Sequence, residues 1–522
     1  MSQPNIVLIF VDDMGYSDIG CYGSEIQTPN LDRLGYNGIR FTQMYNYARC
    51  CPSRASILTG LYPHQAGVGH MVNNLGHPSY QGYLNDRCVT IAEVLRAHGY
   101  RTLMSGKWHV GGYYSIHPHE WHAGEPGYPR PIDRGFEHHY GTYAGAGSYF
   151  NPHTLSRDGE YIKPEGDDFY YTDAITDNAI AMIERYGRGP EPFFLYVAYT
   201  APHWPLHAWP EDIAKYRGKY MKGWDAIRIE RHERLIEMGL LDEKWKISPR
   251  DEQAPPWEDV PDKDWEDARM AVYAAQIDRM DQGIGRIMAK LRELGIEENT
   301  LVMFLSDNGG CAELLREDPR PGSAVPHTRD GRQVRIGNIR GLIPGGDDTF
   351  MSYDLPWANA SNTPFRLYKH WVHEGGIATP FIVYWPAMIR SPRIVHEPVH
   401  IIDIMPTLLE LTGARYPDEY EGRKILPLEG ESLVPILRGE PWTRESPLCW
   451  EHEGNRAVRL GRWKLVSRYP GKWELYDMIE DRTELNDLAD KNKPKVKELA
   501  AIYDAWAERC NVLPWEEIRP RR

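Results

Sequence analysis

The sequence predicts an α/β fold with a large, mainly parallel or mixed sheet flanked by helices, followed by a smaller C-terminal α+β domain. Short apolar runs alternate with helical patterns over roughly the first 410 residues, as is typical of a sheet with helices on its faces. A length of 522 residues exceeds what one hydrophobic core usually serves. The pattern changes to short strands after residue 413, so we expect a large domain over residues 1–413 and a small one over residues 414–522.

Five apolar runs are predicted to be buried strands of the large sheet, because each is rich in β-forming residues and is bounded by turn residues. They are Asn5–Val11, Arg101–Ser105, Phe193–Tyr199, Thr300–Ser306 and Pro380–Trp385. Four shorter strands are predicted in the C-terminal domain, with a last helix near residues 493–510. These strands are Pro447–Glu451, Ala457–Leu460, Trp463–Ser467 and Trp473–Tyr476.

The clearest helix is predicted at about residues 266–294, where apolar residues recur at intervals of three and four before Gly295. A second helix-like segment covers Ile401–Gly413. Two polar insertions, at about residues 204–264 and 312–368, are predicted to be irregular, and long loops of this kind are usually functional or mobile.

The overall charge and the apolar pattern exclude two classes of partner. A formal net charge of −14 and the lack of a Lys/Arg-dense block argue against nucleic-acid binding. The longest apolar run is too short to span a bilayer and lacks the flanks of a signal peptide, so we expect no membrane insertion and a soluble chain. Seven scattered cysteines without a C-x-x-C pattern favour a reducing compartment. We therefore expect a cytoplasmic location, or a periplasmic or secreted one if a signal peptide was removed. No signal for an oligomeric state is present.

Polar residues follow four of the predicted strands. In open parallel sheets, ligands bind beyond the carboxyl ends of the strands, so these residues are expected at one edge. They are Asp12 and Asp13, Lys107 and His109, His203, and Asp307 and Asn308.

Two acidic pairs at equivalent strand ends indicate a metal site. Asp12, Asp13, Asp307 and Asn308 offer only oxygen ligands with three negative charges, which suits Ca²⁺ or Mg²⁺ better than zinc. We expect Ca²⁺. Any one of these residues alone could be a helix cap or a turn residue.

The segment from Cys50 to Gly60 predicts a turn into a short helix, with Pro52 in its first turn. The free N–H groups at a helix N-terminus favour an anion such as sulfate or phosphate, and Arg54 adds a permanent cation within one turn. Taken alone, Cys50 could equally be a buried structural cysteine.

The pattern C-x-P-S-R followed by L-T-G in this segment resembles the signature of type I, formylglycine-dependent sulfatases of the alkaline phosphatase superfamily. Only Cys50 has Pro two residues and Arg four residues downstream, so Cys51 is the variable position. Further segments are similar to this family, in its order, and most of all to bacterial arylsulfatases and carbohydrate sulfatases. They are N-I-V-L-I-F-V-D-D-M-G-Y-S-D, G-K-W-H-V-G, A-P-H-W-P, S-D-N-G-G, and Lys369 through Glu374-Gly375-Gly376.

The resemblance implies hydrolysis of sulfate monoesters of a small molecule or glycan, with release of inorganic sulfate. It implies that a maturation enzyme oxidises Cys50 to formylglycine, and that the hydrate of residue 50 completes the Ca²⁺ shell of Asp12, Asp13, Asp307 and Asn308. Lys107 and Lys369 would hold sulfate oxygens, and Arg54 would hold the formylglycine. His203 would lie beside the leaving-group oxygen and His109 beside the second hydroxyl of the hydrate.

Two other functions are compatible with the sequence. A phosphonate monoester or phosphodiester hydrolase of the same superfamily would share the site, and an inactive sulfated-glycan-binding protein would result if Cys50 stayed unmodified. Five residues near the motifs are candidates for substrate recognition, although surface or packing roles fit them equally well. They are Trp204, His207, Arg316, Trp371 and His373.

Overall fold

The structure, a computed structural model, describes residues 3–317 and 323–519. A mixed sheet of eleven strands lies at its centre, which confirms the predicted α/β class. Its strands, in chain order, are Asn5–Asp12, Ile39–Tyr45, Arg101–Gly106, His138–Thr142, Leu155–Arg157, Glu160–Tyr161, Phe193–Pro202, Thr300–Ser306, Ala378–Tyr384, Arg393–Val395 and Val399–His400.

The first strand, Asn5–Asp12, is apolar at every position from 6 to 11 because both of its faces are buried. Alternate residues enter two different apolar clusters on opposite sides of the sheet, and all of them are fully buried. A strand buried on both faces is apolar throughout rather than at every second position. The two sets are Val7, Ile9 and Val11 on one face, and Ile6, Leu8 and Phe10 on the other.

Four of the five predicted long strands are parallel and adjacent. Asn5–Asp12 pairs in parallel with both Phe193–Pro202 and Thr300–Ser306, and Arg101–Gly106 pairs in parallel with Phe193–Pro202. The fifth, observed as Ala378–Tyr384, is antiparallel to Thr300–Ser306. The reason is that the chain leaves residue 306 at the carboxyl edge and returns from that edge, where Gly309 N–H donates to the Gly376 carbonyl at 3.1 Å.

The helices of seven or more residues pack on both faces of the sheet and on the C-terminal part. They are Pro29–Asn37, Cys50–Thr59, Ile91–Ala97, Tyr171–Tyr186, Gly223–Glu237, Lys263–Glu293, Asp354–Ser361, Ile404–Thr412 and Lys493–Arg509. The clearest predicted helix is observed as Lys263–Glu293, where Asp262 caps the N-terminus by accepting from Trp265 N–H at 3.1 Å. Across residues 3–317 and 323–519, every helix is too short or too polar for a bilayer span.

The prediction that residues 204–264 are irregular is wrong. This insertion contains the helices Pro210–Ala214 and Gly223–Glu237. Two of its tryptophans are packing residues, since the ring of Trp224 meets Trp257 at 4.8 Å and Trp357, of a later segment, at 5.4 Å, both edge to face. Such aromatic contacts between distant segments stabilise helices that a polar sequence does not reveal.

The C-terminal part contains a four-stranded antiparallel sheet. Its strands are Leu448–His452, Asn455–Leu460, Trp463–Ser467 and Glu474–Asp477, and the helix Lys493–Arg509 packs beside them. This sheet contacts the large one through hydrogen bonds such as Trp450 Nε1 to the Asn46 carbonyl at 2.8 Å. The division between residues 413 and 414 stays a prediction.

A buried ion cluster joins the small sheet to the rest of the chain. Lys464 is fully buried and its Nζ lies 2.9 Å from Glu374 and 2.8 Å from Glu484, which are also fully buried. We expect Lys464→Met to lower the free energy of unfolding by about 3 kcal/mol, because two carboxylates lose a buried partner. Denaturant titration monitored by circular dichroism measures this. Lys472→Met, at a side chain that is 75% exposed, is the control, and equal effects of both substitutions would contradict the expectation.

Candidate active site

The two acidic pairs meet at the carboxyl edge of the sheet. Asp12 ends the first strand, and Asp13 follows it in the left-handed region with a φ of 65°. Asp13 N–H donates to Asp307 Oδ1 at 3.2 Å, and Asn308 Nδ2 donates to Asp13 Oδ1 at 2.7 Å. The four oxygen-bearing side chains thus form one cluster, although the pairs are almost 300 positions apart.

Two oxygen atoms of this cluster are buried without a hydrogen-bond donor. Asp12 Oδ1 and Asn308 Oδ1 accept no hydrogen bond within the described residues, and both side chains are fully buried. A buried acceptor without a partner is costly and calls for an explanation such as an ion. An all-oxygen donor set with two free acceptors fits a hard divalent cation.

Each carboxylate of the cluster is paired with a different buried cation. Lys107 donates to Asp12 Oδ2, Lys369 donates to Asp13 Oδ2 at 2.9 Å, and Arg54 donates to Asp307 Oδ2 at 3.0 Å.. The charges of the three carboxylates and the three cationic side chains cancel. A bound divalent cation would therefore give the site a net positive charge, which attracts an anion.

The pKa values of Asp12 and Asp307 are shifted in opposite directions. Burial would raise the pKa of Asp12, but Lys107, His203 and Arg54 lower it to about 2. Burial and the neighbouring charge of Asp12 raise the pKa of Asp307 well above its usual range, despite Arg54. A cation beside both groups would favour the ionised form of each.

Cys50 is the first residue of the helix Cys50–Thr59 and is 2% exposed. Ser53, in the first turn, accepts from Tyr47 N–H at 2.8 Å and donates to the Asp307 carbonyl, which fixes the start of the helix against the carboxyl edge of the sheet. A hydrogen bond with Cys51 and the charges of Lys107 and His109 hold the pKa of the Cys50 thiol well below its usual value, against the effect of burial. The positioning role of Ser53 was not predicted.

His109 lies beside the two cysteines. Its Nδ1 and Nε2 are 3.4 and 3.3 Å from Cys51 Sγ, and its backbone φ is 55°. Burial and the charge of Lys107 lower the pKa of His109 to about 4. The ring is therefore neutral around pH 7.

His203 points one nitrogen towards the acidic cluster. Its Nδ1 donates to the Trp204 carbonyl at 2.6 Å, which leaves Nε2 at 3.2 Å from Lys369 Nζ and 3.3 Å from Asp13 Oδ2. An imidazole held by Nδ1 in this way has its second nitrogen oriented for chemistry.

A cavity of about 190 Å³ opens onto these groups, and Cys50, His109, His203 and Lys369 all line it. Trp204 and Glu313 also line the cavity, where Trp204 Nε1 donates to Glu313 Oε2 at 2.8 Å. Glu313 pairs with Arg49, another lining residue, at 3.1 Å. Sequence reasoning missed Arg49 and Glu313, because neither belongs to a recognisable motif.

Of the five candidates for substrate recognition, Trp204 lines the cavity. His207 is fully buried and its Nε2 bonds to the Thr349 carbonyl at 2.6 Å, while His373 is fully buried beside Glu474. Trp371 packs against Tyr368 and His370, and Arg316 is exposed. The contacts of His207, His373 and Trp371 are those of packing residues.

Comparison with known proteins finds relatives over most of the chain. Residues 4–414 match the family model described as Sulfatase, and residues 365–504 match the model described as N-sulphoglucosamine sulphohydrolase, C-terminal. The chain is 34% identical to an arylsulfatase of Klebsiella aerogenes, over 85% of this chain and 94% of that protein. It is 32% identical to an uncharacterized sulfatase of Schizosaccharomyces pombe, over 96% of this chain and 94% of that protein.

Solved structures share the fold. The crystal structure of Ps i-CgsB in complex with k-i-k-neocarrahexaose superposes with a TM-score of 0.68 and 24% sequence identity. The alignment covers 97% of this chain and 93% of that chain, so the likeness includes the C-terminal part.

Proposed function

Since the chain belongs to the sulfatase family and is therefore a sulfuric ester hydrolase, we propose that it cleaves sulfate monoesters with a formylglycine made from Cys50 and a Ca²⁺ ion. Asp12, Asp13, Asp307 and Asn308 would hold the ion, together with the modified residue 50. A maturation enzyme would supply the formylglycine, and inorganic sulfate is the product. The resemblance that the motifs indicated is confirmed at the level of the family.

One observation carries this proposal. Two fully buried oxygens, Asp12 Oδ1 and Asn308 Oδ1, have no donor among residues 3–317 and 323–519, at the edge where the helix of Cys50 begins. Three buried cations surround the same edge, so an anionic ester and a divalent cation would complete a site that is otherwise unsatisfied.

Three cationic side chains would bind different groups at this site. Lys107 and Lys369 would bind sulfate oxygens, and Arg54 would hold residue 50 near Asp307. A bound Ca²⁺ would polarise a sulfate oxygen and the nucleophile as a Lewis acid. The hydrate of formylglycine would supply one hydroxyl oxygen that attacks sulfur while the bond from sulfur to the leaving oxygen breaks. Loss of the proton from the second hydroxyl would then reform the aldehyde and break the carbon–oxygen bond that holds the sulfate.

Two histidines would handle protons on opposite sides of sulfur. His203 Nε2, next to Lys369 Nζ, would protonate the oxygen of the departing alcohol or phenol. His109, neutral because its pKa is about 4, would accept a proton from residue 50. Both rings are buried, and the hydrogen bond to the Trp204 carbonyl fixes the orientation of His203.

The cavity supports a substrate whose sulfate is terminal. A volume of about 190 Å³ admits a sulfate and part of one attached ring. We therefore favour a small aryl sulfate or the sulfated end of a glycan, attacked in the exo manner. Trp204 offers a ring at the cavity wall on which an aromatic or sugar ring can pack.

His203→Ala is expected to slow the hydrolysis of esters with poor leaving groups more than that of esters with good ones. Turnover of an alkyl or sugar sulfate should fall about 10³-fold, whereas a nitrophenyl sulfate, whose leaving oxygen needs little protonation, should lose much less. Initial rates over a series of phenols and alcohols of increasing pKa measure this. Equal losses over the whole series would contradict a role as general acid, and His207→Ala, at a histidine outside the cavity lining, is the control for lost packing.

The reaction class is tested by comparing three esters of nitrophenol, namely the sulfate, the phenylphosphonate and a phosphate diester. We expect the highest kcat/KM for the sulfate. A preference for either phosphorus ester by several orders of magnitude would instead assign the chain to the phosphonate or phosphodiester hydrolases. No turnover of any ester by protein whose residue 50 is an unmodified thiol, even after production with the maturation enzyme, would favour a glycan-binding protein.

A further inference from the structure

A second group of ligand-type side chains lies beside the active-site cavity. His70, His452 and Glu453 each bring one ligand atom within 4.8 Å of the others. Glu453 Oε1 is 2.7 Å from His70 Nε2 and 3.7 Å from His452 Nε2, and the two imidazole rings are stacked at 5.6 Å. His70 lies in a loop of the N-terminal part, His452 ends the strand Leu448–His452, and Glu453 lies in the turn that follows this strand.

Several nitrogens of this group are buried without a hydrogen-bond partner. His452 is fully buried and neither of its ring nitrogens is bonded in the described residues, and Nδ1 of His70 is also unbonded. A buried imidazole with both nitrogens unsatisfied is costly in the absence of a ligand.

We propose that His70, His452 and Glu453 bind a divalent transition-metal ion such as Zn²⁺, at a site distinct from the carboxylate cluster of Asp12. Two imidazoles and one carboxylate are typical zinc ligands, whereas Ca²⁺ prefers oxygen alone. Zinc bonds of 2.0–2.1 Å separate tetrahedral ligand atoms by about 3.3 Å, a value between the two distances from Glu453 Oε1. The carboxylate of Glu453 is 23% exposed, which leaves the fourth position open to water.

A third histidine orients the carboxylate. His370 Nδ1 lies 3.1 Å from Glu453 Oε2, the oxygen that faces away from His70. A hydrogen bond of this kind fixes a ligating carboxylate and raises metal affinity. His370 is thus a positioning residue of the zinc site.

The zinc site would hold together one wall of the active-site cavity. His70 directly precedes Met71, Val72 and Asn73, which line the cavity. His370 directly follows Lys369, and His370 N–H donates to the Ala48 carbonyl at 2.7 Å. A metal bound here would fasten these loops to the C-terminal hairpin, and the inference does not depend on the proposed reaction.

Crystals of the full chain grown with CaCl₂ and soaked in ZnCl₂ test the site, with diffraction data collected above and below the zinc absorption edge. We expect an anomalous peak that contacts His70, His452 and Glu453. Zinc found only at one of the two other clusters of ligand-type residues, or no zinc peak at all, would overturn the proposal. These clusters are Cys50, Cys51 and His109, and Asp12, Asp13 and His203.

Calorimetric titration of metal-stripped protein with ZnCl₂, with Ca²⁺ saturating, measures the affinity in solution. His452→Ala and Glu453→Gln should each weaken binding by more than about 100-fold, and His370→Ala by about tenfold. His119→Ala, at a histidine whose side chain is 78% exposed, should bind as the original chain does. Undiminished zinc binding by His452→Ala and Glu453→Gln would contradict the assignment, and the crystallographic peak decides if either variant fails to fold.

Discussion

Cys50→Ala is expected to lower sulfate release by about 10⁵-fold or more, the loss typical of removing a nucleophile. Alanine cannot become formylglycine, so no hydroxyl remains to attack sulfur. The side chain is buried at a helix start that Ser53 holds through two other residues, so the fold should survive. Initial rates with a nitrophenyl sulfate, together with circular dichroism, measure both effects.

Cys51→Ala is the matched control for this substitution. Cys51 is equally buried and lies next to Cys50, but it is the variable position of the motif. We expect most activity to persist, with formylglycine still present at residue 50. Full activity of Cys50→Ala, or formylglycine at residue 51 instead, would show that the nucleophile has been assigned to the wrong residue.

Asp13→Asn is expected to weaken Ca²⁺ binding by more than about 100-fold and to lower kcat by about 10³-fold, because one charged ligand is lost at the reacting centre. Asparagine tolerates the left-handed backbone that Asp13 adopts, so the local structure should be kept. Calcium titration by calorimetry and rates at saturating Ca²⁺ measure the two effects.

Removal of the metal tests the role of Ca²⁺ in catalysis without any substitution. The original chain treated with EGTA should lose activity and regain it with CaCl₂, and regain less with MgCl₂. Asp86→Asn, at a side chain that is 79% exposed, should behave as the original chain in both assays. Persistent activity of metal-free protein would contradict the role of the four ligands in catalysis.

The proximity of the polar residues at the strand ends could be predicted because parallel strands present their carboxyl ends at one edge. Adjacent parallel strands end at or just before Asp12, Asp307 and Lys107. The proximity of these residues can therefore be predicted from the strand assignment alone. Lys369 is different, since it follows a long excursion rather than a predicted strand. Only its family resemblance indicated a role, and the antiparallel return of the chain explains its location.

Features that depend on contacts between distant segments could not be predicted. Glu313 and Arg49 meet at the cavity only because the fold brings two loops together. His70 and Glu453 are 383 positions apart and belong to no motif, so their proximity appears only in three dimensions. The helix Gly223–Glu237 was missed because its apolar partners lie in other segments.

The most direct test is a crystal structure of the active, matured protein with Ca²⁺ bound. We expect an aldehyde or its hydrate at residue 50, and one Ca²⁺ at about 2.3–2.6 Å from oxygens of residue 50 and the four predicted ligands. These ligands are Asp12, Asp13, Asp307 and Asn308. An intact thiol at residue 50 in active protein, or a calcium ion bound away from these residues, would contradict the mechanism.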